Sequence, residues 1–165
     1  MPAPSLSADE LLAWNEHTTQ TLRTLIEQHP EILQLECDIY NTKTVAELLR
    51  HIVAVETRFA QRLAGVEESP YDAIPYSSAA EIFAVHDTAL AGLRAELAKD
   101  DDWDRKLEFQ TISLGRLRAP RKALLFHALL HSIRHYAQLA TLLRQHGFAP
   151  GRQLDYLIMG VEPAS

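Results

Sequence analysis

Cysteine is nearly absent: Cys37 is the only one in 165 residues, so no intrachain disulfide can form. A lone thiol fits a reducing compartment. Cys37 itself reads as a partly buried small side chain, because a free cysteine packs as a small hydrophobe; a nucleophilic role would need neighbouring positive charge. Methionine is almost as scarce. Met1 and Met159 are the only two, which leaves no interior ligand for a Met/His haem bundle. The six glycines form neither a P-loop nor a dinucleotide-binding fingerprint. No Glu precedes a His by three residues, so the Glu-x-x-His pairs of ferritin-like di-iron bundles are missing. No uninterrupted apolar run approaches the roughly 20 residues that span a bilayer, and there is no repeat or low-complexity tract. Positive charge is in deficit: 16 Lys and Arg against 22 Asp and Glu give a formal charge of −6. The basic footprint of a nucleic-acid binder is therefore absent. Residues 1–10 hold neither the basic nor the apolar region of a secretory signal. Nucleic-acid and membrane partners are thus not expected, and a cytoplasmic location is.

What is present describes helices. The length fits one domain spanning 1–165, and the 47% hydrophobic content is ordinary for a globular chain. Ser7 to Glu10, Thr44 to Glu47 and Ser78 to Glu81 are three capping boxes, in each of which a hydroxyl and a carboxylate satisfy orphan amides. An apolar stripe at helical spacing follows each box. The first runs Leu11, Trp14, Thr18, Leu22, Leu25 and stops near Pro30. The second runs Leu48, Ile52, Val55, Phe59 and stops at Gly65. The third runs Ile82, His86, Leu90, Leu93, Leu97. A fourth helix is predicted from Pro120, in its first turn, to Gly147. It is apolar around most of its circumference and belongs in the middle of a bundle. Residues 67–76 read as an irregular connection punctuated by two prolines. Alternation at Leu107, Phe109 and Thr111, followed by Gly115, allows a short β-hairpin. The predicted fold is an all-α four-helix bundle whose long connection between the third and fourth helices has room for that hairpin.

The histidines carry the chemistry. His127, His131 and His135 advance by four residues along the fourth helix, and residues at i and i+4 share a face. His127 and His135 stand about 12 Å apart along the axis, so either the upstream or the downstream pair, but not all three, can meet one ion. A third ligand has to come from another helix. His51, beside the apolar stripe of the second helix, is the leading candidate, with Glu47 and Glu56 in reach as carboxylates that could orient a ligating ring. Glu47 already serves a capping box, and Glu56 reads as a solvated charge. His86 lies in the apolar line of the third helix and is open to three readings: ligand, base, or buried imidazole bonded to a neighbour. His17 is a weaker candidate, and His29 and His146 look like helix-terminus residues. Arg58, Arg134 and Tyr136 could help to bind an anionic substrate, though each reads more simply as an ordinary surface or packing residue. Three neutral imidazoles and an open fourth position suit zinc or nickel.

This layout resembles the DinB/YfiT-like superfamily, a group described as metalloenzymes, over nearly the whole chain. The resemblance is carried by four helices, by His51 within residues 48–56, and by the His-x-x-x-His motif of His131 and His135 within residues 127–138. It implies that His51, His131 and His135 bind a divalent metal and that His127 is not one of the three ligands. Where members often carry Arg-Gly-Gln after the last ligand, this chain has Tyr136, Ala137 and Gln138, and a tyrosine there could narrow the cavity. The superfamily includes thiol-dependent transferases and isomerases that use low-molecular-weight thiols, and dimers are common in it. The resemblance therefore implies a small-molecule substrate, a thiol cosubstrate and a homodimer. Transfer of a thiol to a small electrophile is the preferred reading. Metal-dependent hydrolysis and a non-catalytic metal-binding stress-response protein are the alternatives.

Overall fold

All three predicted N-cap hydroxyls are in place, but the reciprocal box closes only at the first helix; at the second and third the Glu47 and Glu81 carboxylates accept from the Lys43 and Ser77 amides, one residue before the cap. In the computed structural model, which describes residues 3–99, 101–111 and 114–162, α1 spans Ala8–Gln28. The Glu10 amide donates to Ser7 Oγ at 3.2 Å, and Glu10 Oε2 accepts from the Ser7 amide at 2.7 Å. Helix α2 spans Val45–Ala64, capped by Thr44 and closed by Gly65 at φ 72°, a left-handed conformation that glycine adopts without a Cβ penalty. Helix α3 spans Ala79–Leu97, capped by Ser78. Met1 and residues 112–113 of the expected hairpin lie outside the described residues.

Strands β1 (Lys106–Thr111) and β2 (Gly115–Pro120) form an antiparallel hairpin, with Phe109 opposite Leu117 and Leu107 opposite Ala119. Helix α4 spans Arg121–Gln145 and starts one residue later than the sequence suggests. Pro120 pairs with Lys106 in the ladder and keeps an extended ψ of 147°, so it caps the helix instead of entering its first turn. Among the described residues, no helix is long and apolar enough to cross a membrane.

Two apolar layers show how the helices run. One contains Leu22 and Ile26 of α1, Leu48 and Ile52 of α2, Ile82 and Phe83 of α3, and Leu139 and Leu143 of α4. The other contains Leu11 and Leu12, then Leu63, then Leu90 and Leu93, then Leu124 and Leu129. Helices α1 and α4 therefore run from the second layer to the first, while α2 and α3 run from the first to the second. The topology is up-down-down-up. The connection from Gly65 to Ser78 has to carry the chain back along the bundle, and Ile74 has already rejoined the first layer. Arg50 of α2 fastens this crossover, lying against the rings of Tyr71 and Tyr76 and donating to the Tyr71 carbonyl at 2.8 Å.

Between the two layers lies a polar belt of Asn15, Thr18 and Thr19 on α1, Glu56 on α2, His86 on α3, and Ser132 on α4, all buried. Burying a leucine or isoleucine stabilises by about 1.5–3 kcal/mol, and the two layers together offset the desolvation of such a belt only if its charges are paired. They are. Glu56 Oε2 meets His86 Nδ1 at 2.7 Å, and Glu56 Oε1 accepts from Ser132 Oγ at 2.6 Å. The sequence reading of Glu56 as a solvated charge is corrected here: its side chain is 0% exposed.

Candidate metal centre

At the level of this belt, three imidazoles converge. His51 comes from α2, and His131 and His135 from successive turns of α4. Ring centroids lie 4.8 Å apart for His51 and His131, 5.1 Å for His51 and His135, and 4.5 Å for His131 and His135. One ring nitrogen from each lies within 4.8 Å of the other two. His51 Nε2 and His131 Nε2 are 3.0 Å apart, close to the roughly 3.3 Å expected of two nitrogens each about 2.0–2.1 Å from a tetrahedral ion. Among the described residues, no other His, Cys, Asp or Glu joins this group.

The protonation chemistry fits a cation. Burial, then repulsion from His135, pushes the His51 pKa down to about 4. Burial, reinforced by His135 and His51, pushes His131 to about 2. Burial lowers His135 as well, against a hydrogen bond that it donates to Gln138, which raises it. All three rings are neutral at pH 7, the form that coordinates. His135 Nδ1 lies 2.8 Å from Gln138 Oε1, an acceptor, so Nδ1 carries the proton and Nε2 keeps its lone pair. His131 Nδ1 is buried without a hydrogen-bond partner. Such an orphan costs about 1–3 kcal/mol. The residues present therefore fit a divalent cation, as a group that could hold one.

The other sequence candidates separate from this cluster. His127 is exposed, with its ring 4.8 Å from Phe59 and 5.5 Å from His131. His86 takes the third of its readings, a buried imidazole bonded to Glu56. Glu47 remains a capping residue, accepting from the Lys43 amide at 2.7 Å. His17 meets the Gln153 carbonyl at 3.1 Å, and His29 lies against Phe148. Tyr136, read as a residue that could narrow the cavity, is instead fully buried in the first apolar layer. The i+4 step from Ser132 turns it toward the bundle interior. Arg58 is spent on Glu68 at 3.0 Å. Cys37 is buried, 3.3 Å from Thr42 Oγ1.

A cavity of about 800 Å³ opens beside the histidines. The hairpin supplies Phe109, Leu117 and Ala119 to its wall, and the helices supply Phe59 and Leu124. Two contributors escaped the sequence reading. Tyr40, at φ 55°, stacks on His51 with centroids 4.2 Å apart, and Asn41 follows at φ 60°. Left-handed conformations cost on the order of 1–3 kcal/mol each outside glycine. The short loop holds them through Cys37 N to Lys43 O at 3.0 Å and the bridge between Glu36 and Thr44. Asn41 signals a left-handed turn in sequence; nothing in the sequence marks Tyr40.

Gln138 has a quantitative consequence. Partners that orient a ligating histidine typically matter 10–100-fold in metal affinity. Gln138→Ala, at an exposed position of α4, is expected to weaken zinc binding by about 10–100-fold without altering the fold. Chelator competition measures the first and circular dichroism the second.

A helical bundle that gathers three buried, neutral imidazoles beside an open cavity has the makings of a metal-binding enzyme. The DinB family profile matches residues 1–159, and the chain belongs to the DinB family. No match was found among curated proteins.

Proposed function

We propose that His51, His131 and His135 hold a divalent cation, zinc or nickel, and that the protein is a metal-dependent enzyme transferring a low-molecular-weight thiol to a small electrophile. The observation that carries this reading is the convergence of three ring nitrogens from two helices within 4.8 Å. When bound, a divalent cation with an open position lowers the pKa of a coordinated water or thiol toward neutrality. The chain's own residues supply the rest. Gln138 fixes the His135 tautomer, Tyr40 covers one face of His51, and Phe59, Phe109 and Leu117 give a hydrocarbon wall to the space where an electrophile would lie. Hydrolysis is the second reading, since the same cavity admits water. Three histidines with no fourth His, Cys, Asp or Glu beside them among the described residues support catalysis over a purely structural role, because structural zinc sites are closed by four protein ligands.

Metal analysis of untagged protein tests the site. Wild type is expected to carry a stoichiometric divalent ion that His51→Ala and His131→Ala lose. Equal content in all three removes the site. Turnover of small electrophiles with glutathione, bacillithiol or mycothiol, compared with hydrolysis, then separates the two chemistries.

A further inference from the structure

Four guanidinium groups line the cavity beside the histidines, and three are already engaged. Arg50 lies between Tyr71 and Tyr76 and pairs with Asp72. Arg58 and Arg62 share the Glu68 carboxylate, and Arg62 also lies over the rings of Phe59 and Phe109. Arg134 differs. Among the described residues it has no carboxylate partner, and its one side-chain hydrogen bond runs from Nη2 to His135 Nε2 at 3.3 Å. That nitrogen holds the ring's only free lone pair, because Nδ1 keeps its proton and donates it in a hydrogen bond to Gln138 Oε1. A lone pair serves one partner at a time. A cation that takes His135 Nε2 therefore frees the Arg134 guanidinium at the edge of a cavity whose other wall is hydrocarbon: Phe59, Phe109, Leu117, Ala119 and Leu124.

We infer that Arg134 is the anion-binding arm of this cavity, released from His135 when the cation binds, and that the ligand it selects is a small amphipathic carboxylate whose apolar body lies against the hairpin. The inference rests on the metal reading above. The guanidinium's planar fork matches a carboxylate with two parallel N–H···O bonds, and the apolar wall accepts the hydrocarbon that a purely polar anion lacks. Cation and carboxylate then bind cooperatively, and the coupling is reciprocal: each tightens the other by the same factor.

The test uses zinc, with 4-phenylbutyrate as probe and its neutral amide as control. Zinc-loaded wild type is expected to bind the carboxylate about tenfold more tightly than the zinc-free protein, and more tightly than it binds the amide; tenfold is the effect of one charge-assisted hydrogen bond. Chelator competition should show zinc affinity rising by the same factor in the presence of the carboxylate. Arg134 is exposed, so Arg134→Met leaves the fold intact. That variant should lose the zinc-dependent gain for the carboxylate, keep amide binding, and hold zinc at least as tightly as wild type when no carboxylate is present. Arg134→Lys should recover part of the gain, since it restores the charge without the fork. Failure of wild type to bind zinc overturns the metal reading and this inference together. Normal zinc binding with an undiminished carboxylate gain in Arg134→Met overturns this inference alone, because direct ligation of the carboxylate would then account for the coupling.

Discussion

Glu56→Ala lowers the stability of the fold by about 3–5 kcal/mol, the usual cost of removing one partner from a buried charged pair. For a chain of this length that is a fall of roughly 6–20 °C in melting temperature. Glu56 is fully buried and His86 almost so, so the lost carboxylate leaves its partners in the interior of the bundle. The two partners are affected unequally. Ser132 Oγ has a second acceptor, the Ala128 carbonyl at 3.0 Å, and can turn to it. His86 Nδ1 has none, and carries most of the penalty. Glu56→Gln keeps an amide oxygen for His86 and loses only the assistance of the charge, so its cost should be about half as large or less. Equal effects of the two substitutions would show that the volume of the side chain matters and its charge does not.

The same pair gives a pH signature. Burial on its own lowers the His86 pKa, but the charge and hydrogen bond of Glu56 outweigh it, with smaller help from Asp87 and Glu16, so the pKa stands above the ordinary histidine value. A pKa raised in the folded state stabilises fully below the unfolded value near 6.5, and the contribution disappears as pH rises through the folded pKa. The stability gap between wild type and Glu56→Ala, read from urea midpoints, is therefore largest at about pH 6 and narrows toward pH 9. A gap that did not change with pH would mean that His86 stays neutral in the core.

The belt also shows where sequence reading stops. Ser7 with Glu10, Thr44 with Glu47, and Ser78 with Glu81 announce their helices because caps are local: donor and acceptor lie within four residues of each other. The histidine row of α4 and His51 are legible beside apolar stripes whose direction is set by the 3.6-residue period, but that period leaves the pairs His127/His131 and His131/His135 open, and the second pair is what the family resemblance implies. Glu56 lies four residues after Ile52, on the inward face, yet a carboxylate there reads as solvated unless His86 and Ser132 are known to meet it. Those partners sit on two other helices, 30 and 76 residues away. The parallel course of α2 and α3 is non-local in the same way, since it depends on Arg50 pinning the crossover to α2. Tyr136 takes the packing reading, because its own azimuth faces the core while its neighbours in sequence line the site. Tyr40 depends on two left-handed residues that only the closed loop enforces.

Zinc itself should reveal the site through stability. An ion that binds the folded chain and not the unfolded one stabilises by RT ln(1 + [L]/Kd), about 2.7 kcal/mol at a free concentration one hundred times Kd. Wild type should then melt roughly 5–11 °C higher with zinc than with chelator. The three rings are already neutral and gathered, so binding needs neither proton release nor large rearrangement at pH 7. His51→Ala removes the only ring that α2 contributes to the group and leaves two imidazoles on one helix; His131→Ala removes the ring whose Nε2 lies 3.0 Å from His51 Nε2. Either variant should lose most of the shift, while His127→Ala, outside the group, should keep it. That last comparison separates a defined site from a general affinity of histidines for zinc: if His127→Ala lost as much of the shift as His131→Ala, the ion would be held along the α4 histidine row and not between the two helices.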